Sequence, residues 1–315
     1  MRITVVDCDH DSFVPERGLA AELGVELSVR PSADADELVR NAHGADAILM
    51  QYAPITADVL DRLPGVRAVG RYGVGYDTVD VDAATARGVA VCNVTDYGTE
   101  AVAEHAVALA LALVRGLPQL DRGLRRGSHA LVRPVHELAS LTFGVVGLGA
   151  IGRAAARKAA ALGFRVLGHD VAPAAGAGIE RVPLAELADR SDVVSLHVPL
   201  TPATRGLVGA GLLGDMRPGA VLVNTSRGGV VDTAALVAAL EAGRLGGAGL
   251  DVLDDEPVSA DHPLTRFDRV VLTPHTAWYS EESFVRLKRR ALQNVVDVLR
   301  GATPHDLLNP GAVTA

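Results

Sequence analysis

Short apolar runs alternate with helix-length segments along nearly the whole chain. In the first part, stretches such as Asp34–Ala42 and Thr56–Arg62 separate runs that have the length of a buried strand. This alternation predicts a mainly parallel sheet with helices on both faces. The strand candidates of this first series are Ile3–Asp7, Val25–Val29, Ala47–Met50, Arg67–Arg71 and Val89–Asn93.

A second series of the same design follows a long alanine-rich helix that starts near Thr99. The last helical pattern, Glu281–Arg300, carries its apolar residues on one face. The two series together predict two Rossmann-like, doubly wound α/β domains with parallel sheets. The strand candidates of the second series are Leu141–Val146, Arg165–His169, Asp192–Val198, Ala220–Asn224, Ala248–Leu253 and Arg269–Thr273.

Composition narrows the class of protein. The 315 residues fit two domains of ordinary size, 49% of them are apolar, and the net charge is −8 with no basic block for a nucleic acid to bind. An acidic residue at Asp7 comes too early for a signal peptide, and no run of about 20 apolar residues could span a membrane. Cys8 and Cys92 are interpreted as two buried free thiols. These features predict a cytoplasmic protein without a metal site.

A glycine-rich loop follows the first strand of the second series. In Gly147-Leu148-Gly149-Ala150-Ile151-Gly152, the first glycine permits a tight turn and the second lets the backbone approach a pyrophosphate. The third lets the following helix pack close to the strand, and the helix start offers N–H groups to the anion. Such turns are common between strands and helices, so the loop alone is weak evidence for a dinucleotide site.

The next strand ends at Asp170, eighteen positions after Gly152. A carboxylate there accepts hydrogen bonds from ribose hydroxyls and repels a 2′-phosphate. The residues 171–173 contain no arginine that would bind such a phosphate. NAD is therefore favoured over NADP, although Asp170 could also be an ordinary turn residue at a strand end.

Three polar residues come directly after later strands of this series: Arg227, Glu256 and His275. A guanidinium can bind a carboxylate and polarise the adjacent carbonyl, and an imidazole can transfer a proton near neutral pH. A carboxylate behind the imidazole can fix its tautomer and stabilise its charged form. Each residue alone also fits a plain interpretation, respectively a surface arginine, a solvated turn and a structural histidine.

In order and context, these motifs resemble the D-isomer-specific 2-hydroxyacid dehydrogenases. The segments are GRYGVGYDTVD at 70–80, GLGAIG, NTSRGGVVD, AGLDVLDDEP and TPHTAW, and the resemblance runs from about Val66 to Gly301. It implies an NAD-dependent enzyme that interconverts a 2-oxoacid and a D-2-hydroxyacid. Arg227 would bind substrate, His275 would act as acid and base, and Glu256 would be the partner of the imidazole.

The resemblance also implies further contacts and a domain arrangement. A cofactor domain of residues 99–287 would be inserted in a substrate domain of residues 1–98 and 288–315. The protein would be a homodimer, in which the helix after Thr99 and the arm at Ser128–Ser140 contact the second subunit. Besides the glycine loop and Asp170, the residues implied in cofactor binding are Val74, His197, Pro199, Thr204, Thr225, Ser226, Asp251 and His275. Those implied in substrate binding are Tyr72, Gly73, Val74, Gly75, Arg227, His275 and Trp278.

Two of these positions carry alternatives. The Gly73-Val74-Gly75 loop can form a backbone nest for a carboxylate, or it can be a plain tight turn. The stretch from His275 to Glu281 resembles the C-terminal-binding proteins, which are NAD-binding corepressors, so an NAD-sensing scaffold is a rival function. Oxidation of phosphite on the same fold is another. Trp278 could form an apolar wall for the substrate or belong to the core.

Overall fold

The computed structural model describes residues 1–172 and 178–312, which form two compact units. The first unit comprises residues 1–98 and the chain from Ser280 onward, and the second comprises Thr99–Tyr279. The second boundary was expected at 287/288 and lies earlier. The reason is that Ser280 caps the last helix, which packs along its whole length on the first unit through Leu287, Ala291 and Val295.

The first unit contains a five-stranded parallel sheet in the order β2-β1-β3-β4-β5. Strand β3 is buried over its whole length, which explains why its sequence is a continuous apolar run rather than an alternation. The strands are β1 (Arg2–Val5), β2 (Glu26–Val29), β3 (Ala47–Met50), β4 (Ala68–Arg71) and β5 (Ala90–Cys92). The helices are α1 (Val14–Leu23), α2 (Ala35–Ala42), α3 (Ala57–Asp61), α4 (Val81–Ala86) and α11 (Glu281–Leu299).

The second unit contains a parallel sheet in the order β12-β11-β10-β9-β6-β7-β8. The chain reverses its winding between β6 and β9, and in such sheets ligands bind outside the carboxyl ends of the strands at that point. The strands are β6 (Thr142–Val146), β7 (Arg165–His169), β8 (Glu180–Arg181), β9 (Val193–Leu196), β10 (Val221–Asn224), β11 (Gly247–Leu250) and β12 (Val270–Leu272). The helices are α5 (Thr99–Val114), α6 (Leu117–Arg125), α7 (Ala150–Ala161), α8 (Leu184–Arg190), α9 (Ala210–Asp215) and α10 (Thr233–Glu241).

The doubly wound prediction is confirmed for both units, and the short strand β8 was not predicted because both its residues are exposed and polar. Helix α5 packs closely on the sheet because β11 has glycines beneath it: a Cβ on Gly249 would lie 2.9 Å from the Leu109 side chain. Within the described residues, no single helix is long and apolar enough to cross a membrane, and only the bent pair α5 and α6 together meets that length and composition.

Candidate active site

The glycine loop lies at the carboxyl end of β6, and two of its glycines are required by packing. Gly147 has a φ of +96°, and a Cβ there would lie 2.7 Å from the His197 carbonyl oxygen. A Cβ on Gly152 would lie 1.9 Å from the carbonyl oxygen of Gly147. Gly149 has open space above it, and no side chain caps the start of α7. The first N–H groups of α7 are therefore available to an anion, as dinucleotide binding requires.

Asp170 is part of this loop's structure. One carboxylate oxygen accepts from the Leu148 N–H at 2.6 Å, and the other accepts from the Ala172 N–H at 2.8 Å. Burial raises the pKa of the carboxyl, but these two donors and the charge of Arg181 outweigh it, so the pKa lies below its usual value. The Arg181 guanidinium donates to the carbonyls of Asp170 and Ala172. This arginine was not predicted, because it lies eleven positions beyond Asp170 in the chain. Residue 173, which was expected to offer no arginine, lies outside the described residues.

The segment after β9 is fixed by its own side chains. The His197 imidazole pairs with the Ser195 hydroxyl at 2.9 Å, and burial lowers its pKa to about 4, so it is neutral at neutral pH. The Thr204 hydroxyl donates to the Pro199 carbonyl and accepts from the Thr201 N–H at 2.8 Å. These contacts give the His197–Thr204 segment a defined course beside Gly147.

The turn after β10 presents Arg227 and leaves one polar atom unsatisfied. Buried Asn224 holds the turn, because its side chain accepts from Ser226 and donates to the Arg227 carbonyl. The Arg227 guanidinium donates to the Ser226 carbonyl at 2.8 Å. The Thr225 hydroxyl is buried without a hydrogen-bond partner among the described residues. This orphaned hydroxyl, together with the open space above Gly149, fits a bound dinucleotide.

His275 and Glu256 form a pair in which Nδ1 of the imidazole lies 2.8 Å from the carboxylate. An ionised carboxylate only accepts, so Nδ1 carries a proton and Nε2 is the atom left for proton transfer. Burial raises the pKa of Glu256, but the hydrogen bond from His275, the Leu253 N–H and the charge of Arg227 bring it below the usual value. Arg227 therefore lies within electrostatic reach of the pair.

Gly228 explains how the Arg227 turn and the Glu256 turn come together. A Cβ on Gly228 would lie 2.0 Å from the Leu253 carbonyl carbon and 2.4 Å from the Asp254 nitrogen. Only a residue without a side chain lets the two backbones touch at this point. The glycine after Arg227 in the motif thus has a packing function.

The loop that carries His275 is held by a residue expected to bind cofactor. Asp251 is 2% exposed, and its carboxylate accepts from the Thr273 hydroxyl at 2.5 Å and from the N–H groups of Thr276 and Ala277 at 2.9 Å each. Its carbonyl accepts from the N–H of His275, which has a φ of +53°. Three hydrogen bonds already occupy this carboxylate, so its first task here is to position the loop.

His105 of α5 extends this hydrogen-bond network and was not predicted from the sequence. The Thr273 hydroxyl gives its proton to Asp251, so it accepts at 2.9 Å from Nε2 of His105. The two residues are 168 positions apart, so no local pattern connects them. Trp278 is half-buried, and its ring lies edge-on to that of Tyr279 with 5.6 Å between the ring centroids.

The Tyr72–Gly75 loop lies at the carboxyl end of β4 in the first unit. Tyr72 is buried, its hydroxyl donates to Glu16 and its N–H donates to the Met50 carbonyl, so the residue is fixed in the fold. Gly73 has a φ of +136°, and a Cβ there would clash with the Arg71 guanidinium at 1.6 Å. Among the described residues, no backbone carbonyl accepts from the N–H of Val74 or Gly75, as a carboxylate nest requires.

One cluster in this unit was not predicted. Cys8, Asp9 and His10 offer three possible metal-ligand atoms within 4.8 Å of one another. The Lys288 ammonium lies 3.4 Å from the Cys8 sulfur, and burial raises the pKa of that thiol to about 11. A neutral thiol beside a positive charge is a poor ligand for a cation.

Comparison with known proteins places this geometry in a family. Residues 107–277 match the model of the D-isomer specific 2-hydroxyacid dehydrogenase NAD-binding domain. The chain is 39% identical over 314 residues to a glyoxylate reductase of Korarchaeum cryptofilum, covering 95% of each protein. It is 41% identical over 301 residues to a D-3-phosphoglycerate dehydrogenase of Mycobacterium tuberculosis, covering 92% of this chain but only 56% of that protein.

Among solved structures, a D-lactate dehydrogenase from Aquifex aeolicus complexed with NAD and lactic acid aligns with a TM-score of 0.87. That alignment covers 98% of this chain and 99% of the other at 29% identity. Sequence and fold therefore agree. The chain belongs to the D-isomer-specific 2-hydroxyacid dehydrogenase family and is an NAD-dependent oxidoreductase.

Proposed function

We propose that this enzyme interconverts a small 2-oxoacid and the corresponding D-2-hydroxyacid. The observation that carries the proposal is the His275–Glu256 pair at 2.8 Å, within reach of the Arg227 charge. Arg227 binds the substrate carboxylate and polarises its carbonyl, since a guanidinium can make two parallel hydrogen bonds. His275 donates a proton from Nε2 to the carbonyl oxygen, and Glu256 keeps the imidazole in the required tautomer.

NAD(H), when bound, supplies or accepts the hydride. The residues proposed to hold it are the N–H groups after Gly149, the Asp170 region for the ribose and the unsatisfied Thr225 hydroxyl. His197, Pro199, Thr204 and Ser226 are proposed to line it. The Gly73–Gly75 nest is proposed to bind the substrate carboxylate, and half-buried Trp278 to contact the substrate side chain.

A panel of 2-oxoacids tests the reaction. We expect pure protein to oxidise NADH with glyoxylate or a slightly larger 2-oxoacid, because glyoxylate reductases are among its relatives. His275→Ala should lower kcat by about 10²–10⁴ because general acid catalysis is lost, while NADH still binds. Phosphite with NAD⁺ belongs in the panel as the rival substrate.

The outcomes separate the candidate functions. Near-normal turnover by His275→Ala would contradict this reaction. NADH binding without turnover of any compound would favour an NAD-sensing scaffold, which the resemblance of His275–Glu281 to the C-terminal-binding proteins motivates. Turnover of phosphite alone would replace the 2-oxoacid assignment.

A homodimer is also proposed. Helix α6 buries no side chain although it has an apolar side, and Leu117, Leu124 and Leu131 are 53%, 59% and 70% exposed. A second copy covering α6 and the arm at Ser128–Ser140 would remove this apolar surface from water. We expect the mass of a dimer at micromolar concentration and a monomer for Leu124→Asp with Leu131→Asp. A monomeric wild-type protein would contradict the proposal.

Cytoplasmic location stays a prediction. Fractionation of the source cells, with activity followed in each fraction, checks it.

A further inference from the structure

A fully buried ion pair lies in the first unit, next to the residue that follows β4. Lys288 of α11 and Glu16 of α1 are both 0% exposed, and the ammonium lies 2.8 Å from Oε1 of Glu16. Tyr72, the residue after β4, donates its hydroxyl to the same oxygen at 2.9 Å. Two helices and one strand therefore meet at a single carboxylate oxygen.

The surroundings favour a compact cation. The Lys288 ammonium lies 4.2 Å, 4.5 Å and 5.5 Å from the ring centroids of Phe13, Tyr72 and Phe284. Such ring faces attract a cation, and only two lysines occur in a chain that otherwise uses arginine. Burial, and next the charge of Glu16, raise the pKa of Tyr72 well above its usual value, so its hydroxyl keeps its proton and donates.

Stability alone does not account for this arrangement. Taking two charges out of water carries a desolvation cost that often cancels their attraction, and a buried pair can be replaced by apolar residues of similar volume without loss of stability. What apolar residues cannot supply is the directed hydrogen bond to the Tyr72 hydroxyl. The network therefore fixes the position of Tyr72 more than it stabilises the unit.

Hydrogen bonds hold the backbone of Tyr72 and of the two residues that follow it. The N–H of Tyr72 donates to the Met50 carbonyl, the Gly73 carbonyl accepts from the Val94 N–H at 3.0 Å, and the Val74 carbonyl accepts from the Asn93 amide at 2.7 Å. With these carbonyls held, the N–H groups of Val74 and Gly75 keep one orientation. A nest held in place before binding costs less ordering entropy when an anion arrives.

We propose that Lys288, Glu16 and Tyr72 form a positioning network that pre-organises the Gly73–Gly75 nest for the substrate carboxylate. The inference rests on the proposed function of that nest. Neither Lys288 nor Glu16 touches the substrate; they act through Tyr72. The network consequently sets the KM for the 2-oxoacid and leaves the hydride and proton transfers unchanged.

The test compares wild type with an apolar triple variant, Lys288→Met with Glu16→Leu and Tyr72→Phe, which fills the same volume. We expect a folded protein in which amide exchange is faster at Tyr72 and Gly73, whose N–H groups donate to the Met50 and Arg71 carbonyls. The KM for the best 2-oxoacid should rise about tenfold, the effect expected when a binding group must be ordered on association. NADH affinity and kcat should stay within about twofold, because the network acts on binding alone. Tyr72→Phe by itself should give a smaller change in the same direction.

Lys158→Met is the matched control, since Lys158 is the chain's other lysine and pairs with Glu100 and Glu104 at the surface. It should change neither KM nor amide exchange at Tyr72 and Gly73. Wild-type exchange and KM in the triple variant would overturn the inference, as would the same result for Tyr72→Phe if the triple variant did not fold. If the triple variant showed faster exchange but the wild type reduced no 2-oxoacid, the proposed function would be refuted. The ordering of the loop by the network would still be supported.

Discussion

Two loops at the carboxyl edge of the second unit's sheet are positioned by opposite means. The glycine loop, Gly147–Gly152, takes its course because side chains are missing: a Cβ on Gly147 or Gly152 would collide with backbone. The histidine loop, Thr273–Ala277, takes its course because a side chain is present, namely the buried carboxylate of Asp251 with its three donors. The first loop faces the proposed pyrophosphate, and the second carries the proton-transfer group.

The difference determines how each loop tolerates change. A Cβ added at Gly147 or Gly152 displaces backbone, so the damage falls on cofactor binding. In the histidine loop the fixed element is a hydrogen-bond network, which can lose one member and keep the rest. A single substitution in the glycine loop should therefore weaken cofactor binding strongly. A single substitution in the network of the histidine loop should lower the rate only in part.

Among the substitutions that test this comparison, Gly152→Ala is expected to have the largest effect. Its Cβ would lie 1.9 Å from the Gly147 carbonyl oxygen, so the loop must move and the N–H groups of α7 turn away from the anion. We expect the Kd for NADH to rise about tenfold or more, which corresponds to about 1.4 kcal/mol. Fluorescence titration measures it, with Gly211→Ala in α9 as the matched control because a Cβ at Gly211 would meet no atom within 4 Å and the residue lies outside the glycine loop. Equal affinities for the two variants would contradict the packing argument.

Glu256→Gln should have the next largest effect. Because the pKa of Glu256 lies below its usual value, the carboxylate is ionised at neutral pH. It loses its charge only when the pH falls through that lowered pKa. Glutamine removes the charge at every pH, so the protonated imidazole loses its stabilisation. The pH profile for ketone reduction should move to the acid side, and a move of about one pH unit lowers the rate at neutral pH about tenfold.

The rate of Glu256→Gln should recover on acidification. NADH affinity is the control and should not change. A uniform loss at all pH values would mean that Glu256 only holds the turn through the Leu253 N–H.

His105→Leu tests the outer part of the histidine loop's network. The Thr273 hydroxyl would lose its donor but keep its bond to Asp251, so we expect kcat to fall by about fivefold, the effect of one hydrogen bond of about 1 kcal/mol. His105→Gln places an amide nitrogen near the position of Nε2 and should restore most of the rate. If the two variants behaved alike, hydrogen bonding by His105 would not matter to the loop.

Asp170→Ala should have the smallest effect on turnover. Loss of the carboxylate removes the acceptor of the Leu148 N–H and the group proposed to exclude a 2′-phosphate, while Arg181 stays nearby. We expect the preference for NADH over NADPH to weaken and kcat at saturating NADH to change less than about twofold. Equal catalytic efficiency of the wild-type protein with NADPH and NADH would show that Asp170 does not contact the ribose 2′-hydroxyl.

Much of this architecture follows from the sequence alone. The alternation of apolar runs and helix-length segments predicted the parallel sheets, because a strand buried on both faces must be apolar throughout. The glycine loop and the strand-end position of Arg227, Glu256 and His275 were also readable, since each depends on residues adjacent in the chain. The family resemblance assigned these separate motifs to the active site of one enzyme.

Other features were decided by the tertiary structure. Asp251 meets Thr273, and Thr273 meets His105, only because β11, β12 and α5 pack side by side, and no spacing in the chain encodes that meeting. The same holds for Lys288 and Glu16, which are 272 positions apart and face each other only where α1 packs on α11. A sequence pattern reports which groups prefer burial or water, whereas hydrogen bonds and ion pairs depend on positions to within a fraction of an ångström, which only the folded chain defines.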